Sequence, residues 1–185
     1  MSGAKKLLKL KSPSWVFIDW ANVYNWKKSL KRGVDPKKLY IYLRSYKEIE
    51  EVRFYFGRDK HPKSRAFLKE MRKVGYKVVT KPVKYILTAK VEEQKIYRRK
   101  CDFDMEICMD IHKALGKGVE SFVFFTGDGD FAPLYRMLIS RGKQVIVVYM
   151  YGHLGREIFQ IKKGVYKVSI ETLERKYRGR LTVRG

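Results

Sequence analysis

The stretch FVFFTGDGDF, Phe122 to Phe131, decides how the rest of the chain is read. It continues a near-unbroken apolar run, Val119 to Thr126, and such a run suits a strand covered on both faces. It ends in two acids spaced by glycines, so Asp128 and Asp130 stand where the strand stops. FIDWAN, residues 17–22, repeats the arrangement: Trp15-Val16-Phe17-Ile18 leads straight into Asp19. Around these two segments strand and helix patterns alternate, which predicts an α/β domain with a mostly parallel sheet between helical layers.

After the first strand, Ala21 to Lys31 reads as a helix closed at Gly33. Asp35 and Pro36 supply an N-cap and a first-turn proline for a second helix, with Leu39, Tyr40, Leu43 and Tyr46 on one side. Val52 to Phe56 is a short strand. His61-Pro62 opens a helix with Ala66, Phe67, Met71 and Val74 at helical spacing before Gly75, and Tyr76 to Thr80 is a third strand. Within residues 81–100, Tyr85 to Thr88 and Ile96-Tyr97 are expected to pair as a hairpin, a basic substrate flap. Helices over Phe103 to Leu115 and Ala132 to Arg141, a strand over Val145 to Tyr149 and a short helix at Arg156 to Ile161 follow. The expected organisation is a basic N-terminal arm over 1–12, one domain over 13–170 and a basic tail over 171–185.

The 185 residues carry 42 Lys and Arg against 19 Asp and Glu, a formal net charge of +23. The basic residues are spread throughout and interleaved with 13 Tyr and 10 Phe, which points to a nucleic-acid partner. No apolar stretch approaches the ~20 residues needed to cross a bilayer, so no membrane partner is expected. Cys101 and Cys108 lie seven apart in one expected helix, a spacing that suits neither a disulfide nor a zinc knuckle. They read as reduced thiols of a cytoplasmic protein, and the scattered His61, His112 and His153 form no zinc-ligand pattern.

In open parallel sheets ligands bind beyond the carboxyl ends of the strands. Asp19, Asp128 and Asp130 are placed there. A third acidic segment, KCDFDMEICMDIH, spans residues 100–112. At ~100° per residue, with Asp102 at zero, Glu106 and Asp110 fall near about 40° and 80°, a polar stripe. Asp104 falls at about 200°, among Ile107, Cys108, Ile111 and Leu115. A lone carboxylate on an apolar face costs several kcal/mol unless paired, hydrogen-bonded or bound to a cation. Each acid also has an ordinary reading: Asp19 or Asp130 as a helix cap, Asp128 as a turn residue, Asp104 as the partner of a lysine. Together, four acids from three segments converging on one sheet edge repel unless a divalent cation lies among them, and oxygen-only ligands favour Mg²⁺ or Mn²⁺. TGDGD lacks the Lys-Ser/Thr ending of a phosphate-binding loop, and no GxSxG elbow occurs.

FIDWAN, FDMEICMD and FTGDGDFAPLYRMLISRGKQVIVV, in that order, resemble the three motifs of the NYN-domain proteins, the LabA-like branch of the PIN-like nuclease superfamily. The resemblance covers roughly Trp15 to Tyr149. It implies a three-layer α/β/α PIN-like domain with about five parallel strands, and a divalent-metal-dependent ribonuclease. Tyr and Trp side chains expected near the groove to stack unpaired bases favour single-stranded or looped RNA. It places Asp19, Asp104, Asp128 and Asp130 as the catalytic, metal-holding set, with Asn22 orienting a carboxylate or the substrate. Trp20 replaces the family's usual glycine and is expected to offer a stacking surface for a base. Thr126 and Lys100 complete the expected substrate-binding set, although Lys100 stands four residues before Asp104 where the family's lysine stands three before. A homodimer is left open. One competing reading is a non-catalytic RNA-binding module of the same architecture. Another, a haloacid-dehalogenase-like phosphatase, wants a second Asp two residues after the first, where this chain has Ala21.

Overall fold

The computed structural model describes residues 7–91 and 94–181. Six parallel strands form the central sheet: β1 (Ser14–Asp19), β2 (Ile49–Tyr55), β3 (Lys77–Val79), β6 (Ser121–Phe125), β7 (Gln144–Tyr149) and β8 (Val165–Ser169). Their order is β3-β2-β1-β6-β7-β8. The chain steps outward from β1 in one direction to β2 and β3, then returns to the other side of β1 for β6. The crevice between β1 and β6 is therefore the topological switch point, where such sheets place their ligands.

The pleat divides the core into two layers. Val16 and Ile18 of β1 face α1 (Trp20–Asn25), α3 (Pro36–Arg44), α4 (Pro62–Val74) and α8 (Ile170–Leu181). Trp15 and Phe17 face α5 (Asp104–Gly116), α6 (Ala132–Ser140) and α7 (Arg156–Phe159). Helices cover both faces, so β6 is buried along its whole length, as its apolar run predicted. The sixth strand, β8, lies outside the expected set. At the sheet edge Tyr166 is exposed and a lysine interrupts the apolar pattern, so its sequence carries little strand signal.

Several boundaries differ from expectation for identifiable reasons. The helix expected over 21–31 is two pieces, α1 and α2 (Lys27–Leu30). The break falls at Trp26, whose N–H bonds Val23 O at 3.1 Å and whose indole is fully buried and donates to Asn22 Oδ1 at 3.0 Å. Lys31, at φ 56, ends α2 two residues before Gly33. In α4 the buried pair is Leu68 and Met71, and Ala66 is exposed. The tail expected from residue 171 enters α8, where Ile170 and Leu173 are buried and Glu174, 1% exposed, pairs with Arg32 at 2.6 Å. From residue 7 the expected arm lies on the domain: Leu8 is buried and the Lys11 N–H donates to Ser121 Oγ at 2.8 Å. The hairpin within 81–100 forms as expected, β4 (Lys84–Val91) against β5 (Gln94–Lys100), with its tip outside the described residues.

Asp110 is the clearest departure on α5. Expected on a polar stripe, it is 5% exposed, ion-paired to Arg53 of β2 at 2.5 Å and accepting from the Tyr55 hydroxyl at 3.0 Å. Arg53 also pairs with Glu51 at 2.5 Å and lies 4.8 Å from the Trp15 ring centroid. The helical period could not reveal a cation waiting on another strand. This buried network ties α5 to the sheet and so sets where the start of α5 sits.

Gly75 closes α4 at φ 115, and a Cβ there would run into the Tyr40 phenol, which itself donates to Gly75 O at 3.1 Å. Gly75→Ala is expected to destabilise the chain by about 1–3 kcal/mol, read as a lower urea midpoint with unchanged slope.

Candidate active site

Asp19 ends β1 and caps α1, its Oδ1 accepting from the N–H groups of Ala21 and Asn22 at 3.1 and 3.2 Å. Capping satisfies helix donors that would otherwise be orphaned. Asp128 does the same for the short 3₁₀ turn after β6, accepting from Asp130 N at 3.1 Å, while its own N–H donates to the Thr126 hydroxyl at 3.2 Å. Asp104 opens α5, its N–H donating to Asp102 Oδ1 at 3.1 Å. The ordinary readings of Asp19 as a cap and Asp128 as a turn residue thus hold, whereas Asp130 does not cap α6, whose N-cap is Phe131. The second oxygen of Asp19 and of Asp128 stays outside these bonds.

Asp104, Asp128 and Asp130 each offer a carboxylate oxygen within 4.8 Å of the others. Asp19 lies outside that triad yet within its field. Burial, opposed by the two capping bonds and reinforced by the charges of Asp104 and Asp128, raises its pKa from 3.8 to about 6. Asp104 is also raised to about 6, by burial and by the charges of Asp102, Asp128 and Asp130, with Lys81 opposing. Among the described residues no lysine, arginine or histidine forms an ion pair with any of the four acids. Lys81, whose charge opposes the rise at Asp104, is bound to both oxygens of Glu106 at 2.7 and 2.8 Å. In a chain of net charge +23, uncompensated acids at one point are a donor set for a hard divalent cation.

Asn22 and Thr126 serve the site from beneath. Asn22 Oδ1 accepts from Gly127 N at 3.3 Å, joining α1 to the loop after β6. Gly127 is required by close approach: a Cβ there would overlap the His153 carbonyl, and Gly127 O accepts from Gly155 N at 2.7 Å. Trp20 departs from expectation. It is 4% exposed and packs on Phe54 and Phe67, with centroids 4.9 and 6.1 Å away, so it is a core residue and no open stacking platform. The side chain turns inward because α1 begins at Trp20 and lays that residue on its buried face. Lys100 ends β5 and lines a cavity with Lys81 and Asp102, beside the triad.

Sequence reasoning passed over Tyr135. Its ring packs on Phe124 and Phe131, at 4.7 and 6.2 Å, and its hydroxyl is buried without a hydrogen-bond partner among the described residues. Burial chiefly, and then the charges of Asp128, Asp19 and Asp104, raise the pKa of this phenol and hold it protonated. Its place four residues after Phe131 was the available signal. The thiols of Cys101 and Cys108 are free and pushed up in pKa, chiefly by burial, which disfavours the nucleophilic thiolate.

This doubly covered parallel sheet, with carboxylates gathered at its switch point, is of the PIN-like class, a class of RNA-nuclease type, as the match to a known family shows. The chain belongs to the NYN domain family, whose model matches residues 13–161. It is 27% identical over 145 residues to the low amplitude and bright protein LabA of Synechococcus elongatus, a match covering 77% of this chain and 76% of that protein. The fold is shared with the crystal structure of a Vibrio parahaemolyticus protein of unknown function, at TM-score 0.66 and 20% identity, covering 89% of this chain and 97% of the other. Among the described residues no helix is long and apolar enough to cross a membrane.

Proposed function

We propose that this chain is a divalent-metal-dependent ribonuclease that hydrolyses phosphodiester bonds of single-stranded or looped RNA. The observation that carries the reading is the triad of Asp104, Asp128 and Asp130, within 4.8 Å and, among the described residues, with no cationic side chain paired to it. These three would hold Mg²⁺ or Mn²⁺, with Asp19 beside them. Such an ion, when bound, supplies an activated water and neutralises charge at the scissile phosphate.

The chain's own residues do the positioning. Asn22 and Thr126 hold the loop that carries Asp128 and Asp130. Tyr135 fills the space beneath the acids with a neutral phenol and keeps bulk water from that side. Lys81, Lys84 and Lys100 line the cavity next to Asp102 and offer cationic contacts that guide a phosphate backbone toward the acids. No side-chain nucleophile is invoked, so hydrolysis leaves a 5′-phosphate and a 3′-hydroxyl.

The test is incubation of the full chain with structured and unstructured RNAs, with Mn²⁺ or with chelator. Cleavage confined to the Mn²⁺ arm, with 5′-phosphorylated products, is expected. RNA binding without turnover in either arm would reduce the protein to a binding module.

A further inference from the structure

On the other side of β1 from the acids' loop, a cavity of about 440 Å³ opens where α1, the start of α4 and the β4–β5 hairpin meet. Its floor is aromatic. Phe56 and Phe67 are half-buried and packed edge to face, with centroids 5.7 Å apart, and the largely buried Trp20 lies behind Phe67. Tyr24, 50% exposed, stands as a wall, with the Lys27 ammonium 3.9 Å from its ring centroid.

The rim is cationic. Lys27, Lys63 and Arg99 border the cavity against one carboxylate, that of Asp59. Asp59 is already engaged: it accepts from the Tyr85 hydroxyl at 2.6 Å and pairs with Arg99 at 2.7 Å. Among the described residues neither Lys27 nor Lys63 forms an ion pair. A pocket of ordinary ligand size with an aromatic floor, where Phe56 and Phe67 meet edge to face, and with unmatched cations at its edge suits a planar ring joined to an anion.

The hairpin connects this pocket to the acidic site. Tyr85 and Arg99 are cross-strand partners and hold the hairpin to Asp59. One residue along on each strand, Lys84 and Lys100 are paired and turn to the opposite face, where they line the cavity of about 410 Å³ beside Asp102. Like charges set directly opposite on a ribbon are unfavourable unless a polyanion lies across them. Trp20 directly follows Asp19, so the two ends of this basic track are close to one another in the chain as well.

Building on the ribonuclease reading, we infer that the aromatic pocket seats one unpaired nucleotide of the RNA strand, with the base on Phe56 and Phe67 and the phosphate on Lys27 and Lys63. The strand then crosses the Lys84–Lys100 pair on its way to the acids. This subsite selects strands that can splay out a base, since a paired base in a duplex cannot enter a pocket. It reads the flat face of the base, which every base shares, so it selects unpaired structure ahead of sequence.

The test measures binding alone, by fluorescence anisotropy of a labelled single-stranded oligoribonucleotide in chelator, with an abasic residue placed at each position in turn. In the wild-type chain one position is expected to cost roughly 5- to 100-fold in affinity. In Tyr24→Ala, at an exposed position whose loss leaves the core intact, that penalty should largely disappear. Lys63→Ala should weaken the intact and the abasic strand alike. Thermal melts of both variants verify that they are folded. Equal abasic penalties in wild type and Tyr24→Ala, or no sensitive position, would overturn the inference. So would AMP or UMP binding as tightly as the oligonucleotide, which would make the pocket a site for free mononucleotides. Cleavage measured separately with Mn²⁺ keeps the two readings apart. Coupling without cleavage removes the nuclease and leaves the subsite, and cleavage without coupling does the reverse.

Discussion

Asp128→Asn is expected to reduce RNA cleavage by at least on the order of 100-fold, because even partners one shell outside a metal cost 10- to 100-fold when changed. The substitution keeps shape, and the asparagine oxygen can still accept from Asp130 N, now at 3.1 Å from Asp128 Oδ1, so the turn after β6 should persist. What is lost is one negative charge from a triad whose oxygens lie within 4.8 Å of each other. For the same reason, binding of RNA in chelator should be unchanged or tighter, since a charge repelling the phosphate backbone has gone. Single-turnover cleavage with Mn²⁺ and anisotropy in chelator read the two effects separately. Turnover at the wild-type rate would place the chemistry elsewhere on the molecule.

The second large effect concerns stability. Asp19 and Asp104 are both raised from 3.8 to about 6 in the folded chain, with burial the leading cause in each. A folded state that holds these protons more tightly than the unfolded state gains stability when they are bound. That contribution is full below pH about 4 and is lost as pH rises through about 6. For Asp19 the difference between 3.8 and about 6 is roughly 3 kcal/mol as a ceiling, at 1.36 kcal/mol per pKa unit. In a chain of this length that corresponds to on the order of 6–12 °C in Tm. Asp104→Asn should therefore raise Tm in chelator at pH 7.5 and have little effect at pH 4. Mn²⁺ requires the deprotonated acids, so it should raise Tm at pH 7.5 and lose that effect toward pH 5. Scanning calorimetry across this range gives both curves. An equal Mn²⁺ shift at pH 5 and pH 7.5 would show that the ion binds away from Asp19 and Asp104.

The inference of an unpaired-base subsite changes how the basic charge is understood. Much of the net charge of +23 is spread over the surface, but Lys27 and Lys63, without an ion pair among the described residues, flank aromatic rings, and Lys84 and Lys100 stand on the path between those rings and the acids. Attraction of RNA needs only the total. Choice of single strands needs this local arrangement.

The α/β class, the parallel sheet and the acids at the strand ends could all be read from residue order, because each is written in local patterns. The apolar run from Phe122 to Phe125 reports burial on both faces, Asp35-Pro36 reports a helix start, and Gly75 reports a helix end. That acids gather at this edge was legible, because Asp19, Asp128 and Asp130 follow strand ends. That Asp104, Asp128 and Asp130 come within 4.8 Å while Asp19 lies outside was not, because the start of α5 is held by the Arg53–Asp110 pair. What depended on partners distant in sequence stayed hidden. Asp110 looked like a surface acid until Arg53 was found opposite it, and Trp20 looked like a stacking surface until α1 turned it onto Phe54. The helix at Ile170 was silent because two buried side chains among charged neighbours make no period. The edge strand β8 was silent because its pairing with β7 supplies what its own pattern lacks. Periodicity records which face of an element is covered. Only the folded chain decides what covers it, and whether a charge there meets its opposite.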